Sequence, residues 1–154
     1  MSYVDSVLEP GEQVIYRTTA SWTVFAHAIL LALAAIIALI VGTNIGGTGV
    51  EAFVLAVALI LALLALASFV RAWIRRATTE IAVTDRRIIL KRGLIRRHTV
   101  EMNMQKVETV DVDQTLLGRL FNYGNVTVRG TGSTLETIRQ IDAPLKLRTT
   151  VTAR

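Results

Sequence analysis

The sequence has no cysteine and only two prolines and two histidines, and between residues 18 and 70 it carries one charged side chain, Glu51. Without cysteine there is no disulfide framework, no thiolate nucleophile and no Cys-based zinc or iron–sulfur site. Aromatics are also scarce, 6% against 52% hydrophobic residues in all, so the apolar content is aliphatic. It is concentrated in two long stretches. A chain of 154 residues has no interior large enough to hide both, which excludes an ordinary water-soluble protein.

From Trp22 to Val41 the chain reads WTVFAHAILLALAAIIALIV, twenty uncharged residues, enough at about 1.5 Å per residue to cross about 30 Å of hydrocarbon. A second uncharged run, AFVLAVALILALLALASFV over residues 52–70, is followed by Arg71, Arg75 and Arg76. The connector, residues 42–51, holds four glycines and an asparagine, which break helix and let the chain double back. A transmembrane α-helical hairpin is expected, with residues 1–21 as an N-terminal segment, 22–41 and 52–70 as the spans, and 71–77 as a basic juxtamembrane segment.

A signal peptide is set aside, because the leading residues carry Asp5, Glu9 and Glu12 against Arg17 and the apolar run is too long. Arginines flank the hairpin at both ends and none lies in the connector, so the positive-inside rule places both termini in the cytoplasm. Trp22 and Trp73 fall at the two ends expected to share that interface. Alanines four apart (Ala28 and Ala32, Ala34 and Ala38, Ala52 and Ala56, Ala58 and Ala62) permit close helix approach, within the hairpin or between protomers. His27 is the one ionisable group inside a span. It is a candidate proton or ligand site, weighed against a simple interfacial role one turn inside the boundary.

Residues 71–154 hold 16 of the 17 basic residues and 8 of the 12 acids, a local charge of +8. Here the periodicity changes to short β-type runs: TTEIAVT, RIILKR, IRRHTVEM, VETVDVD, NVTVRG and TLETIRQI, each bounded by turn chemistry. Six strands are expected, beginning as an antiparallel meander with reversals at Asp85-Arg86 and Arg92-Gly93. Leu116, Leu117, Leu120 and Phe121 recur at helical spacing before Gly124 and predict a short helical cap. The tail from Asp142 and Pro144 has the start signal of a helix, but its Thr and Val content makes only a weak one.

Taken in order, these pieces resemble the bacterial pleckstrin-homology (PH)-like family in which a PH-like domain follows a pair of transmembrane helices. The likeness runs from LEPGEQVIYRTTASW through TEIAVTDRRIILKRGLIRR, with Thr84, Arg87 and Gly93 at the signature positions, to Val107, Gln114, Gly118 and Gly124. The resemblance implies a bacterial inner-membrane location and a mainly β, cytoplasmic PH-like domain over residues 78–154. Its fold would be a bent antiparallel sheet or partly open barrel of seven strands, one more than the residues themselves indicate, closed by a C-terminal helix.

The basic residues are candidates for weak contact with anionic phospholipid: Arg71, Arg75 and Arg76 beside the bilayer, then Arg86, Arg87, Lys91, Arg92, Arg96 and Arg97. Strand alternation spreads the second group over a face instead of a pocket. The Lys and paired-Arg spacing of phosphoinositide-selective PH domains is missing, so specific headgroup recognition is not expected. No catalytic constellation, metal site or cofactor motif is found. GTGST at residues 130–134 reads as a hairpin loop, Asp111 and Asp113 as the wet side of a sheet, and nucleic-acid binding lacks interleaved aromatic and basic side chains.

Leu116, Leu117, Leu120 and Phe121 are set between two roles. Core packing of a short cap is the simpler; if they stay exposed, they mark a partner-contact patch. The expectation is therefore a non-catalytic, membrane-anchored adaptor that gathers protein partners or forms a homo-oligomer, through this patch and open sheet edges. A small oligomeric transport component using His27 is the alternative.

Overall fold

The computed structural model describes residues 3–45, 49–94, 98–131 and 135–153. In chain order the elements are α1 (Tyr3–Val7), β1 (Val14–Thr19), a 3-10 turn (Trp22–Phe25), α2 (Ala26–Asn44), α3 (Gly49–Thr78), β2 (Glu80–Thr84), β3 (Arg87–Arg92), β4 (His98–Asn103) and a second 3-10 turn (Met104–Lys106). Then follow β5 (Val107–Asp113), α4 (Leu116–Leu120), β6 (Tyr123–Gly130), β7 (Leu135–Asp142) and α5 (Pro144–Thr152). They form two units, a helical one over Val24–Ile74 and a β module made of Met1–Thr23 together with Arg75–Arg154.

The helical unit is built from residues with high helix propensity, mostly Ala and Leu. Both of its helices are long and apolar enough to cross a membrane, with mean hydropathy of 2.9 and 3.0 over their most apolar windows. Only 17% and 11% of those windows is buried, which is unlike the core helices of a soluble protein. The buried positions are Ala28, Ala35 and Gly42 on α2 and Ala58, Ala65 and Ala72 on α3. The seam thus repeats every seven residues, where four-residue pairs were expected. Of those pairs Ala28 and Ala58 are in the seam, while Ala34, Ala52, Ala56 and Ala62 are exposed. Helices crossing at a shallow angle return the same side chain to the contact line once in two turns. At Gly42 an added Cβ would stand 2.8 Å from Leu55 Cδ2, and Phe25 meets Phe69 with ring centroids 5.3 Å apart.

The β module holds two antiparallel sheets, β1-β2-β3-β4 and β5-β6-β7. They join where Ala20 bridges Ile141 and Ser21 N–H donates to Gln140 C=O at 2.8 Å. The core lies between them, formed by Ile81, Val83, Ile88 and Leu90 from one sheet, Val126, Val128 and Ile138 from the other, and Leu147 and Val151 of α5. Pro144 opens α5 at its first turn, where the missing N–H costs nothing. The terminal helix, weak by composition, is held by this burial instead of by propensity.

The module boundary expected at residue 78 is corrected. Val14–Thr19 is the first strand, antiparallel to β2 in a register that pairs Thr18 with Ile81 and Thr19 with Glu80. It supplies the seventh strand, and the helical hairpin is an insertion between strands one and two. The 30-residue α3 also runs past the expected span end at residue 70, carrying Arg71, Arg75 and Arg76 on a continuous helix.

Candidate functional site

The residues of the signature hairpin meet in an ion-pair network whose centre, Glu12, sequence reasoning did not single out. Glu12 is buried. Its Oε2 accepts from Arg87 Nη2 at 2.7 Å and Glu9 N–H at 2.9 Å, and its Oε1 accepts from Arg87 Nε at 3.0 Å and Thr84 Oγ1 at 2.7 Å. The bidentate Arg87 guanidinium, helped by the other donors, holds the Glu12 carboxyl down at about pKa 2 against the cost of burial. Arg87 is raised in return, chiefly by Glu12. Its Nη1 reaches Glu101 Oε2 at 2.8 Å and its Nη2 also donates to Val7 C=O at 3.0 Å. Thr84 closes the β2–β3 turn by accepting from the Arg86 and Arg87 N–H groups at 3.2 and 2.9 Å.

This network fastens the N-terminal segment across the outer face of the first sheet. Val4 packs on Ala82 and Ile89, all of them buried. Lys91 Nζ stands 4.6 Å from the Tyr3 ring centroid, Tyr3 N–H donates to Glu80 Oε2 at 3.1 Å, and Arg17 pairs with Asp5. The alternation Arg87, Ile89, Lys91 therefore does define one face of β3, but α1 covers it.

The described lipid-contact candidates of the β module do not gather into one pocket. Arg71 is exposed on α3. Arg75 donates to Gln140 Oε1 at 2.9 Å and Arg139 C=O at 3.2 Å, while Arg76 donates to Ala20 C=O at 2.7 Å and stacks over Trp22, 4.1 Å from the ring centroid. Arg86 pairs with Glu9 at 3.1 Å, and Arg92 stands 3.9 Å from Glu136. Arg96 and Arg97 lie outside the described residues, as do residues 132–134 of the GTGST loop. The internal bonds of Arg87 leave it little to offer a headgroup. Arg86 and Arg92 stand at opposite ends of β3.

The four apolar candidates do converge. Thr115 caps α4 through its hydroxyl, which accepts from Gly118 N–H at 3.1 Å, and Gly118 presses so close to Tyr123 C=O that an added Cβ would lie 2.6 Å away. The tight cap turns its large side chains outward, leaving Leu116 83%, Leu117 60%, Leu120 75% and Phe121 59% exposed. The simpler expectation, that they pack in the core, is corrected. Beside them Val112, Asp113, Gln114, Arg119 and Leu145 line an open depression of about 400 Å³. A second cleft of about 260 Å³ lies between β5 and α5. Among the described residues no group of acids and histidines is arranged to hold a metal. His27 is exposed in the first turn of α2.

A family model described as a bacterial PH domain matches residues 14–154. The match starts at β1 and runs through the inserted helices to the terminal helix. No curated protein and no solved structure gives a match.

Proposed function

This chain belongs to the bacterial PH domain family, and from that premise we propose that it is a membrane-anchored, non-catalytic adaptor. The family supports a non-enzymatic domain. In this reading α2 and α3 anchor the chain in the bacterial inner membrane with both termini in the cytoplasm. The β module gathers protein partners or further copies of itself at that face, and anionic phospholipid contributes a diffuse contact.

One observation carries the reading: Arg86, Arg87 and Arg92 of the signature hairpin are paired with the module's own acids, whereas four large apolar side chains of the α4 turn stand in solvent. Exposed leucines at this density on so short an element are a surface for contact. A face of paired cations is poor at gathering phosphate.

The test places a photo-crosslinking residue at Leu116 of the full-length protein in intact membranes. Discrete protein adducts are expected, and they should vanish when Leu117→Asp and Leu120→Asp are added. A membrane-held protein that yields no adduct from this turn contradicts the adaptor reading. Tight, salt-resistant capture of the same protein by anionic vesicles would replace it with a lipid sensor.

A further inference from the structure

We propose that the partner of the α4 turn is the α4 turn of a second copy, joined by a two-fold contact. The inference rests on the adaptor reading above and names one partner within it.

Two features point to a copy of this chain. The knob formed by Leu116, Leu120 and Phe121 and the open depression of about 400 Å³ beside it lie on the same surface, with Arg119 in the turn also lining the depression. A knob and a hole side by side on one patch are self-complementary under a two-fold axis, because each copy presents what the other receives. The charges repeat this pattern. Arg119 and Asp113 both border the depression, and among the described residues neither takes part in an ion pair. Turning one copy through a half-rotation sets Arg119 of each against Asp113 of the other. A partner of uniform charge would satisfy only one of the two.

The size of the patch fits the same conclusion. Four apolar side chains and the half-exposed Leu145 are far fewer than the roughly 20–30 residues a side of a stable soluble complex. Two copies confined to one bilayer by their helices meet at a high effective concentration, and a small contact then suffices. The absence of cysteine from the sequence makes the test specific.

Full-length Leu120→Cys is expressed and crosslinked in native membranes with a short bis-maleimide, and Thr99→Cys on β4 serves as the remote control. A dimer adduct is expected at position 120 in yield about tenfold above the control, because co-confinement acts on both positions alike and only the contact holds position 120 of one copy against that of the other. Added singly, Arg119→Asp or Asp113→Arg should each cut the yield about tenfold by setting like charges together. The double exchange should restore it.

Unchanged yield in both single variants, or no rescue by the exchange, overturns the two-fold contact. So does an adduct with a different protein in place of the dimer, or burial of position 120 in lipid, read as quenching of an attached fluorophore by nitroxide phospholipid. Alkaline carbonate extraction of the same membranes reports anchoring separately. A carbonate-resistant chain without the dimer sinks this inference alone, whereas release of the chain by carbonate sinks the anchored reading.

Discussion

Replacing Arg87 with Met removes the counter-ion from a carboxylate that has no access to water. Glu12 would keep the Thr84 hydroxyl and the Glu9 N–H but lose both guanidinium bonds. Breaking a buried ion pair from one side costs about 3–5 kcal/mol. The Arg87 side chain is 19% exposed, so the lower end applies, about 3 kcal/mol. For a module of this size each kcal/mol moves the unfolding midpoint by about 4–8 °C, which predicts a fall of about 15 °C.

The assay is scanning fluorimetry of the full chain in detergent, with amide hydrogen exchange over residues 80–92 assigning the transition to the β module. The pH dependence has a definite sign. The Glu12 carboxyl is held at about 2 against an ordinary 4.5, so the network's contribution is complete above about pH 4.5 and lost as pH falls toward 2, on the order of 3 kcal/mol. Arg87→Met should abolish that acid-side loss. A midpoint within about 2 °C of wild type, combined with weakened binding to anionic vesicles, would refute the reasoning and return Arg87 to the set of lipid contacts.

Gly118→Ala should lower stability by about 1–3 kcal/mol, since its Cβ meets the Tyr123 carbonyl and backbone must shift; thermal unfolding of the variant checks this. The pair Leu117→Asp and Leu120→Asp should leave the midpoint within about 0.5 kcal/mol of wild type while removing protein adducts from the α4 turn; marked destabilisation would mean these side chains belong to the core. Gly42→Leu should loosen the hairpin, because Leu55 already occupies the space its Cβ needs, and faster proteolysis of the connector in detergent would show it.

The six strands beyond residue 78 and the short α4 helix were legible because each is a local pattern: period-two alternation, a glycine at a turn, leucines at helical spacing. The first strand was not. Val14–Thr19 alternates weakly, and its partner β2 begins after some sixty intervening residues, so the run read as a prelude to the hairpin. Glu12 was illegible for a related reason. An acid in a surface-type sequence, LEPGEQ, gives no local sign of burial, which arises only when β1 brings it against the β2–β3 turn.

At the level of residue types the seam of the hairpin was visible, but its spacing was not, since the seven-residue repeat depends on how two helices cross. The α4 patch shows the opposite limit. Its periodicity predicted a helix correctly, while its exposure follows from Gly118 clamping the turn against Tyr123, a tertiary fact.

The account as a whole depends on a β module that is split by a hairpin lying in the bilayer. Single cysteines at Ser6, Thr48 and Thr131, tested with a membrane-impermeant maleimide on intact cells, examine both halves of that statement at once. Labelling of Thr48→Cys from outside, with Ser6→Cys and Thr131→Cys reacting only after lysis, is the predicted result. Labelling of Ser6→Cys and Thr131→Cys from opposite sides of the membrane would contradict it, because β1 and β2 could not then share a sheet.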